Sequence, residues 1–222
     1  MPNDMPPRDQ IVGQLYTAVL SDVLDSLAYP NQAMRPFVRP LDETRVLFGR
    51  ARTGLYMNTY QVPRDRNPYE LEMVLVDDLK PGDVAVLSCG GPTDRIAPWG
   101  ELLTTAAQIR GAVGCVTDGL VRDTSRIRAM EFPVFHGGIG PLDTKGRAEM
   151  VATDVPVMCA GVRIESGDLV FGDADGVVVL PQAVAVAAIT AALAKVSSED
   201  STRAALLEGK SLREVYAMFG VL

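Results

Sequence analysis

Apolar residues recur along this chain with two periods, and the change of period divides it. Near the start, Ile11, Leu15, Val19, Val23 and Leu27 follow one another at four-residue steps in "DQIVGQLYTAVLSDVLDSLAYP". That spacing lays one apolar stripe along a helix and predicts an opening helix ended by Pro30. Residues 31–50 are rich in Pro and Arg and read as a connecting loop, after which "ARTGLYM" starts a strand. The stretch 70–79, "ELEMVLVDDL", predicts a second helix, which leads through "KPGD" into the short apolar strand "VAVLS". A Gly- and Pro-rich loop, "CGGPTDRIAPWG", then precedes a helix in "ELLTTAAQIR", a buried strand in "GAVGCV" and a short helix in "TSRIRAM". Helix and strand alternate here as they do in an α/β domain.

The later part is strand-rich. "VPVMCAGVRI", "GDLVFGD" and "GVVVLP" read as short strands, with "DADG" as a hairpin turn between the last two. A long Ala-rich helix follows in "PQAVAVAAITAALAKVSSED", and "STRAALLEGKSLREVYAMF" continues as a helical tail. No stretch has the composition of a linker. The expectation is one α/β domain over residues 1–222, with an N-terminal helix and a C-terminal helical tail.

Composition narrows the function. With 47% hydrophobic and only 6% aromatic residues among 222, the chain supports an aliphatic core. A net charge of -7 argues against nucleic acid and anionic membrane as partners, because both need basic patches to displace counterions. It does not argue against a small anionic substrate, since one or two arginines grip a carboxylate at short range whatever the global charge. "MPNDMPPRDQ" has no apolar core for a signal peptide and the aliphatic run 183–194 is too short to span a bilayer, so the expected location is cytoplasmic. Cys89, Cys115 and Cys159 are far apart in strand-like surroundings and read as buried, reduced thiols.

Several chemistries fall away. "EGKS" lacks the first glycine of a phosphate-binding loop, which would fall at Ala204. "DADG" lacks the further acids of a calcium loop. His136 is the only histidine, which rules out multi-histidine zinc sites and leaves it a structural or surface role. Lys80, Lys145, Lys195 and Lys210 lie in turns, polar loops or Ala-rich helix, so none offers the desolvated amine of a Schiff base.

Carboxylate, arginine and glycine chemistry remains, and it converges on "TDGLVRD". Arg122 and Asp123 follow a strand and turn, where open α/β sheets present ligands. The plainer alternative makes Asp123 only the N-cap of "TSRIRAM" and Arg122 its solvated neighbour. Glu101, at the start of the preceding helix with twenty residues between it and Arg122, would bring a second acid to the same rim.

"WGELLTTAAQIRGAVGCVTDGLVRDTSRIRAMEFPVF" followed by "GVRIESGDLVFGDADGVVVLP" resembles the family of 4-hydroxy-4-methyl-2-oxoglutarate aldolases and the regulator of ribonuclease activity A. The resemblance runs from "SDVLDSL" to "EGKSLREVY", and the spacing from Glu101 to Arg122-Asp123 is its most specific part. It implies a layered α-β-β-α sandwich of the ribonuclease-regulator type, assembled as a homotrimer or homohexamer with sites between subunits. It implies further that Asp123 holds a divalent metal, Mg2+ or Mn2+, that Glu101 positions metal-bound water, and that the backbone of Gly100, Glu101, Leu102 and Leu103 receives the substrate carboxylate. Arg122 would stabilise the enolate oxygen, and Glu199 of a neighbouring subunit, next to Asp200, would reach the metal through water.

The substrate so implied is a small 4-hydroxy-2-oxo dicarboxylic acid cleaved to pyruvate and a 2-oxo acid, with oxaloacetate decarboxylation as a companion activity. A hard oxygen-ligated cation suits that chemistry, because it chelates the 2-oxo and carboxylate oxygens. The alternatives are a non-enzymatic regulator that binds a protein partner and a lyase or decarboxylase for another 2-oxo acid. One departure stands out: Arg126 occupies the position where many aldolase-like relatives carry an acid. "QVPRDRNPYE" and "FHGGIGPLDTKGR" are candidate pocket walls, with ordinary surface loops as the alternative.

Overall fold

The computed structural model describes residues 4–62 and 65–220. In chain order its elements are α1 (Arg8–Gln14), α2 (Thr17–Ser26), β1 (Arg39–Pro40), β2 (Leu47–Asn58), α3 (Glu70–Asp77), β3 (Asp83–Ser88), α4 (Glu101–Ile109), β4 (Gly114–Thr117), β5 (Leu120–Val121) and α5 (Thr124–Ala129). There follow β6 (Val134–His136), β7 (Gly138–Ile139), β8 (Ala148–Thr153), β9 (Val157–Cys159), β10 (Val162–Ile164), β11 (Leu169–Asp173), β12 (Gly176–Leu180), α6 (Ala185–Leu207) and α7 (Leu212–Phe219).

The main sheet runs β1-β6-β4-β3-β2-β11-β12, and β8 is added to the second half of β2. Strands β6, β4, β3 and β2 are parallel, linked through helices, while β11, β12, β8 and β1 pair antiparallel. Residues 32–40 draw the two ends of the sheet together. Ala33 bridges Val178 on β12, and further along Arg39 and Pro40 pair with His136 and Phe135 on β6. The sheet is thereby curled almost into a barrel.

Strand alternation sorts the core into three clusters. On β3, Val84 and Val86 face an inner cluster with Val116, Phe135, Val170 and Val179, which the β9–β10 hairpin plugs through Val157, Cys159, Val162 and Ile164. Ala85 and Leu87 face outward under α3, α4 and α5, against Leu75, Val76, Ala107 and Ile127. On β11, Leu169 and Phe171 pack with Phe48 under α1, α2 and α6. Strand β3 is buried on both faces, which is why it reads as an unbroken apolar run. The layered α/β class expected from the sequence is the one found.

Three local expectations need correction. The opening apolar stripe is buried as its spacing predicts, but it belongs to two helices, because Leu15 and Tyr16 are extended. The break is held from outside: the Asp173 carboxylate accepts the Thr17 N–H at 2.8 Å and the Thr17 hydroxyl at 2.7 Å, so α2 starts afresh on a carboxylate. Residues 31–50, read as loop, contain β1 and the first residues of β2, whose partner β11 lies far along the chain. The helical tail comes in two pieces, since Ser211 and Glu214 form a capping box that restarts it as α7. All three cysteines are free thiols, with Cys115 and Cys159 buried.

Candidate active site

Asp123 occupies the N-cap position of α5 but does not cap it. Its backbone is left-handed, at φ 57° and ψ 30°, and its carboxylate points away from its own helix. Oδ2 instead accepts the Glu101 N–H at 3.2 Å, at the start of α4. The plainer reading of this residue as a helix cap therefore does not describe its side chain. The ends of β4–β5 and α4 are drawn together by Trp99, which bridges Val121 and whose carbonyl accepts the Arg122 N–H at 3.0 Å. Gly100 fits between them: a Cβ there would lie 2.8 Å from Asp123 Oδ2 and 3.1 Å from Arg122 Cγ.

Arg122 lies between two acids. Its Nε is 3.8 Å from Asp123 Oδ2, and its Nη1 is 3.2 Å from Asp143 Oδ1. The other oxygen of Asp143 accepts the Tyr69 hydroxyl at 2.5 Å. Beside them Glu72 is 6% exposed and accepts the Thr144 hydroxyl at 3.0 Å. Burial raises its pKa to about 7, the Thr144 bond and Arg122 working against that rise and Asp143 adding to it. Together these side chains border a cavity of about 240 Å³, walled on its apolar side by Met73, Trp99, Leu102 and Leu103.

Of the residues singled out in the sequence, Arg122, Asp123, Gly100, Leu102 and Leu103 all border this cavity. Glu101 is at its rim through its backbone, while its side chain turns along α4 to Thr105, 3.3 Å away. At a helix start the first amides have no partner within the helix, and Gly100 offers no side chain to cap them. The amides of Leu102 and Leu103 are therefore suited to an anion. Glu199 stands apart from this group: on α6 it accepts the Tyr16 hydroxyl and lies 4.0 Å from Lys195, so one chain alone does not bring it to Asp123. Asp200 pairs with Arg203, and Arg126 is exposed on α5.

Tyr69 and Asp143 fall within the two stretches expected to wall a pocket. Glu72 was missed, although a signal for it exists: with Leu75, Val76 and Leu79 it forms an i, i+3, i+4, i+7 stripe, an acid at a core position of its helix.

The donor set decides which cation fits. Among the described residues no group of three or more His, Cys, Asp and Glu side chains forms a cage. A closed zinc site therefore does not fit. Asp123, with its side chain 45% exposed and Oδ1 free of hydrogen-bond partners among the described residues, fits a cation that keeps most of its waters and takes one or two carboxylates plus substrate oxygens. Mg2+ behaves in that way.

Similarity to known proteins runs over most of the chain. The family described as "RraA-like: Aldolase/RraA" matches residues 17–179. A protein of Halalkalibacterium halodurans named "Putative 4-hydroxy-4-methyl-2-oxoglutarate aldolase" is 34% identical over 166 residues, covering 75% of this chain and 72% of its own length. Among solved structures, an uncharacterized protein from Pseudomonas syringae is 28% identical with a TM-score of 0.78, over 95% of this chain and 98% of its own. Streptomyces coelicolor RraAS2, described as an unusual member of the RNase ES inhibitor RraA protein family, is 26% identical with a TM-score of 0.76, over 91% of this chain and 99% of its own.

Proposed function

The chain belongs to the RraA-like family of aldolases and RraA proteins, and from that premise we propose that it is a divalent-metal-dependent carbon–carbon lyase acting on a small 4-hydroxy-2-oxo acid. The observation that carries this reading is the Asp123 carboxylate, turned off its own helix toward the first amides of α4 and flanked by the Arg122 guanidinium. A helix cap or a solvated ion pair needs neither the left-handed backbone nor the glycine opposite it.

The residues divide the work by position. The amides of Leu102 and Leu103 receive the substrate's 1-carboxylate. Arg122 faces the 2-oxo oxygen, where negative charge develops as the C3–C4 bond breaks. The 4-hydroxyl gives up its proton as its oxygen becomes the carbonyl of the departing 2-oxo acid, and the C3–C4 electron pair becomes pyruvate enolate. Glu101, on turning its side chain from Thr105 to the cavity, holds the water that takes this proton and returns one to C3, giving pyruvate. Mg2+ or Mn2+ held by Asp123, with Glu199 of a neighbouring copy reaching it through water, would supply the electron sink for the 2-oxo and carboxylate oxygens. Oxaloacetate places its departing carboxylate on the same carbon, so its decarboxylation uses the same residues. The reading includes a cytoplasmic homotrimer or homohexamer with sites between copies, and 4-hydroxy-4-methyl-2-oxoglutarate as the first substrate to try.

The test is pyruvate release from 4-hydroxy-4-methyl-2-oxoglutarate and from oxaloacetate, with Mg2+ or Mn2+ and again after chelation. Chelator-sensitive release is expected, and the ratio of the two rates defines the preferred substrate. No release from either by folded protein moves the reading to another 2-oxo acid or to a partner-binding protein like the inhibitor-family relative.

A further inference from the structure

We propose that Asp143, locked by Tyr69, is the positioning residue of Arg122: it aims the guanidinium at the cavity and draws its Nη1 end away from Asp123. The inference deepens the lyase reading and rests on it for its kinetic test alone. Its basis is how the oxygens of one carboxylate are shared. Asp143 Oδ1 meets Arg122 Nη1 at 3.2 Å, and Oδ2 accepts the Tyr69 hydroxyl at 2.5 Å. Both acceptors are thus in use on opposite partners, and the carboxylate plane is fixed from two sides.

The surroundings make this an orienting device rather than a chance ion pair. Arg122 follows β5, Tyr69 immediately precedes α3, and Asp143 lies in the loop after β7. That loop is pinned through its backbone: Gly140 N–H donates to Val121 O at 3.0 Å, Ala97 N–H to Leu142 O at 2.9 Å, and the Arg147 guanidinium to Asp143 O at 3.2 Å. None of these bonds uses the Asp143 side chain, so the loop keeps its place when that side chain changes. Burial, with the adjoining carboxylate, pushes the Tyr69 hydroxyl up to about 12, which keeps it a hydrogen-bond donor throughout the working range. An arginine has several rotatable bonds and turns to the strongest anion within reach. With Asp143 neutralised, the carboxylate paired with Arg122 is Asp123, 3.8 Å from Nε and the one on which the cation reading depends, while Glu72 is a further carboxyl that feels its charge. Asp143 therefore limits Arg122 to a long, 3.8 Å pairing with Asp123.

Two substitutions test this on the full chain. Asp143→Asn keeps the shape but removes the negative charge, so Arg122 is no longer held there by an ion pair; Tyr69→Phe removes only the lock. The first measurement is crystallographic and needs no turnover: in Asp143→Asn the guanidinium is expected to swing toward Asp123, and an unchanged Arg122 in that variant overturns the proposal. The second is a double-mutant cycle on pyruvate release. Asp143→Asn is expected to lower kcat about tenfold with KM within about twofold, and Tyr69→Phe to lower kcat less, because the aimed group acts in the transition state. In an Arg122→Lys background Asp143→Asn is expected to change kcat less than about twofold, since its effect runs through Arg122. Equal losses in both backgrounds would show that Asp143 acts elsewhere. If the wild type releases no pyruvate, the lyase reading fails and the crystal structures still decide the positioning role.

Discussion

Asp123 shows how much a single residue's backbone reveals about its use. Left-handed φ is inexpensive for Gly and tolerable for Asn and Asp, whose short polar side chains suit it, but costs about 1–2 kcal/mol for most other residues. An acid one methylene longer at this position would carry that strain and also overshoot the start of α4. Asp123→Ala is expected to abolish chelator-sensitive pyruvate release while the far-UV circular dichroism stays that of the wild type; near wild-type release would remove Asp123 from the cation site. Gly100→Ala tests the same junction from the opposite side. Its backbone is extended, which alanine adopts freely, and the atoms nearest the new methyl are side-chain atoms of Asp123 and Arg122. The expected result is a melting temperature within a few degrees of wild type and a loss of turnover of tenfold or more, because the displaced atoms are those of the rim. A large loss of stability with intact specific activity would contradict this.

Among the elements, those built from local pattern were readable and those built from distant partners were not. Helices α3, α4 and α5 and strands β3, β4, β11 and β12 were all marked by periodicity or by apolar runs between turn residues. The break between α1 and α2 was invisible, because the carboxylate that starts α2 comes from Asp173, at the far end of the chain. Strands β1 and β8 were missed for a related reason: "RP" has no strand pattern, and "AEMVAT" becomes a strand only by lying along the free half of β2. Around the cavity, Arg122 and Asp123 were legible from residue type and spacing, Glu101 reaches the rim only through its backbone, and Asp143 and Tyr69 were legible only as stretches of candidate wall. Glu72 was not singled out: its place on the α3 stripe marks a core position, but sequence does not say which helical face a pocket cuts. The role given to Asp173 has a thermodynamic consequence. Asp173→Ala is expected to cost about 1–2 kcal/mol, read as a lower denaturant midpoint with unchanged slope. An unchanged midpoint would mean that α2 starts there for other reasons.

On the scale of the whole molecule, two buried titrating groups oppose each other. Glu72 gives up its proton at about 4.5 in the unfolded chain and at about 7 when folded. Its stabilising contribution is complete below 4.5, is lost as pH rises through 7, and amounts to roughly 3 kcal/mol. His136, buried at the end of β6, is pushed down from 6.5 to about 4, by burial first and Arg128 second. It stays neutral in the folded state while the unfolded chain takes up a proton, so its contribution is present above 6.5 and is lost as pH falls toward 4. Between about 4.5 and 6.5 the two slopes have opposite sign and similar size. Glu72→Gln removes one of them. The variant is expected to melt above wild type at pH 8, where the wild type carries a buried carboxylate, and to lose that advantage by pH 5. A constant difference across the range would show that Glu72 titrates normally.

The segment 32–40 that clasps β12 to β6 also imposes an order in time. Its partner on one side, Val178, is separated from Ala33 by most of the chain, and contacts between such distant positions form late because the intervening loop must first be ordered. During synthesis the residues bordering the cavity, from Tyr69 to Thr144, leave the ribosome before Val178 does. A nascent chain therefore holds every residue that borders the cavity while its sheet is still open, and the last strand to emerge is the one that seals it.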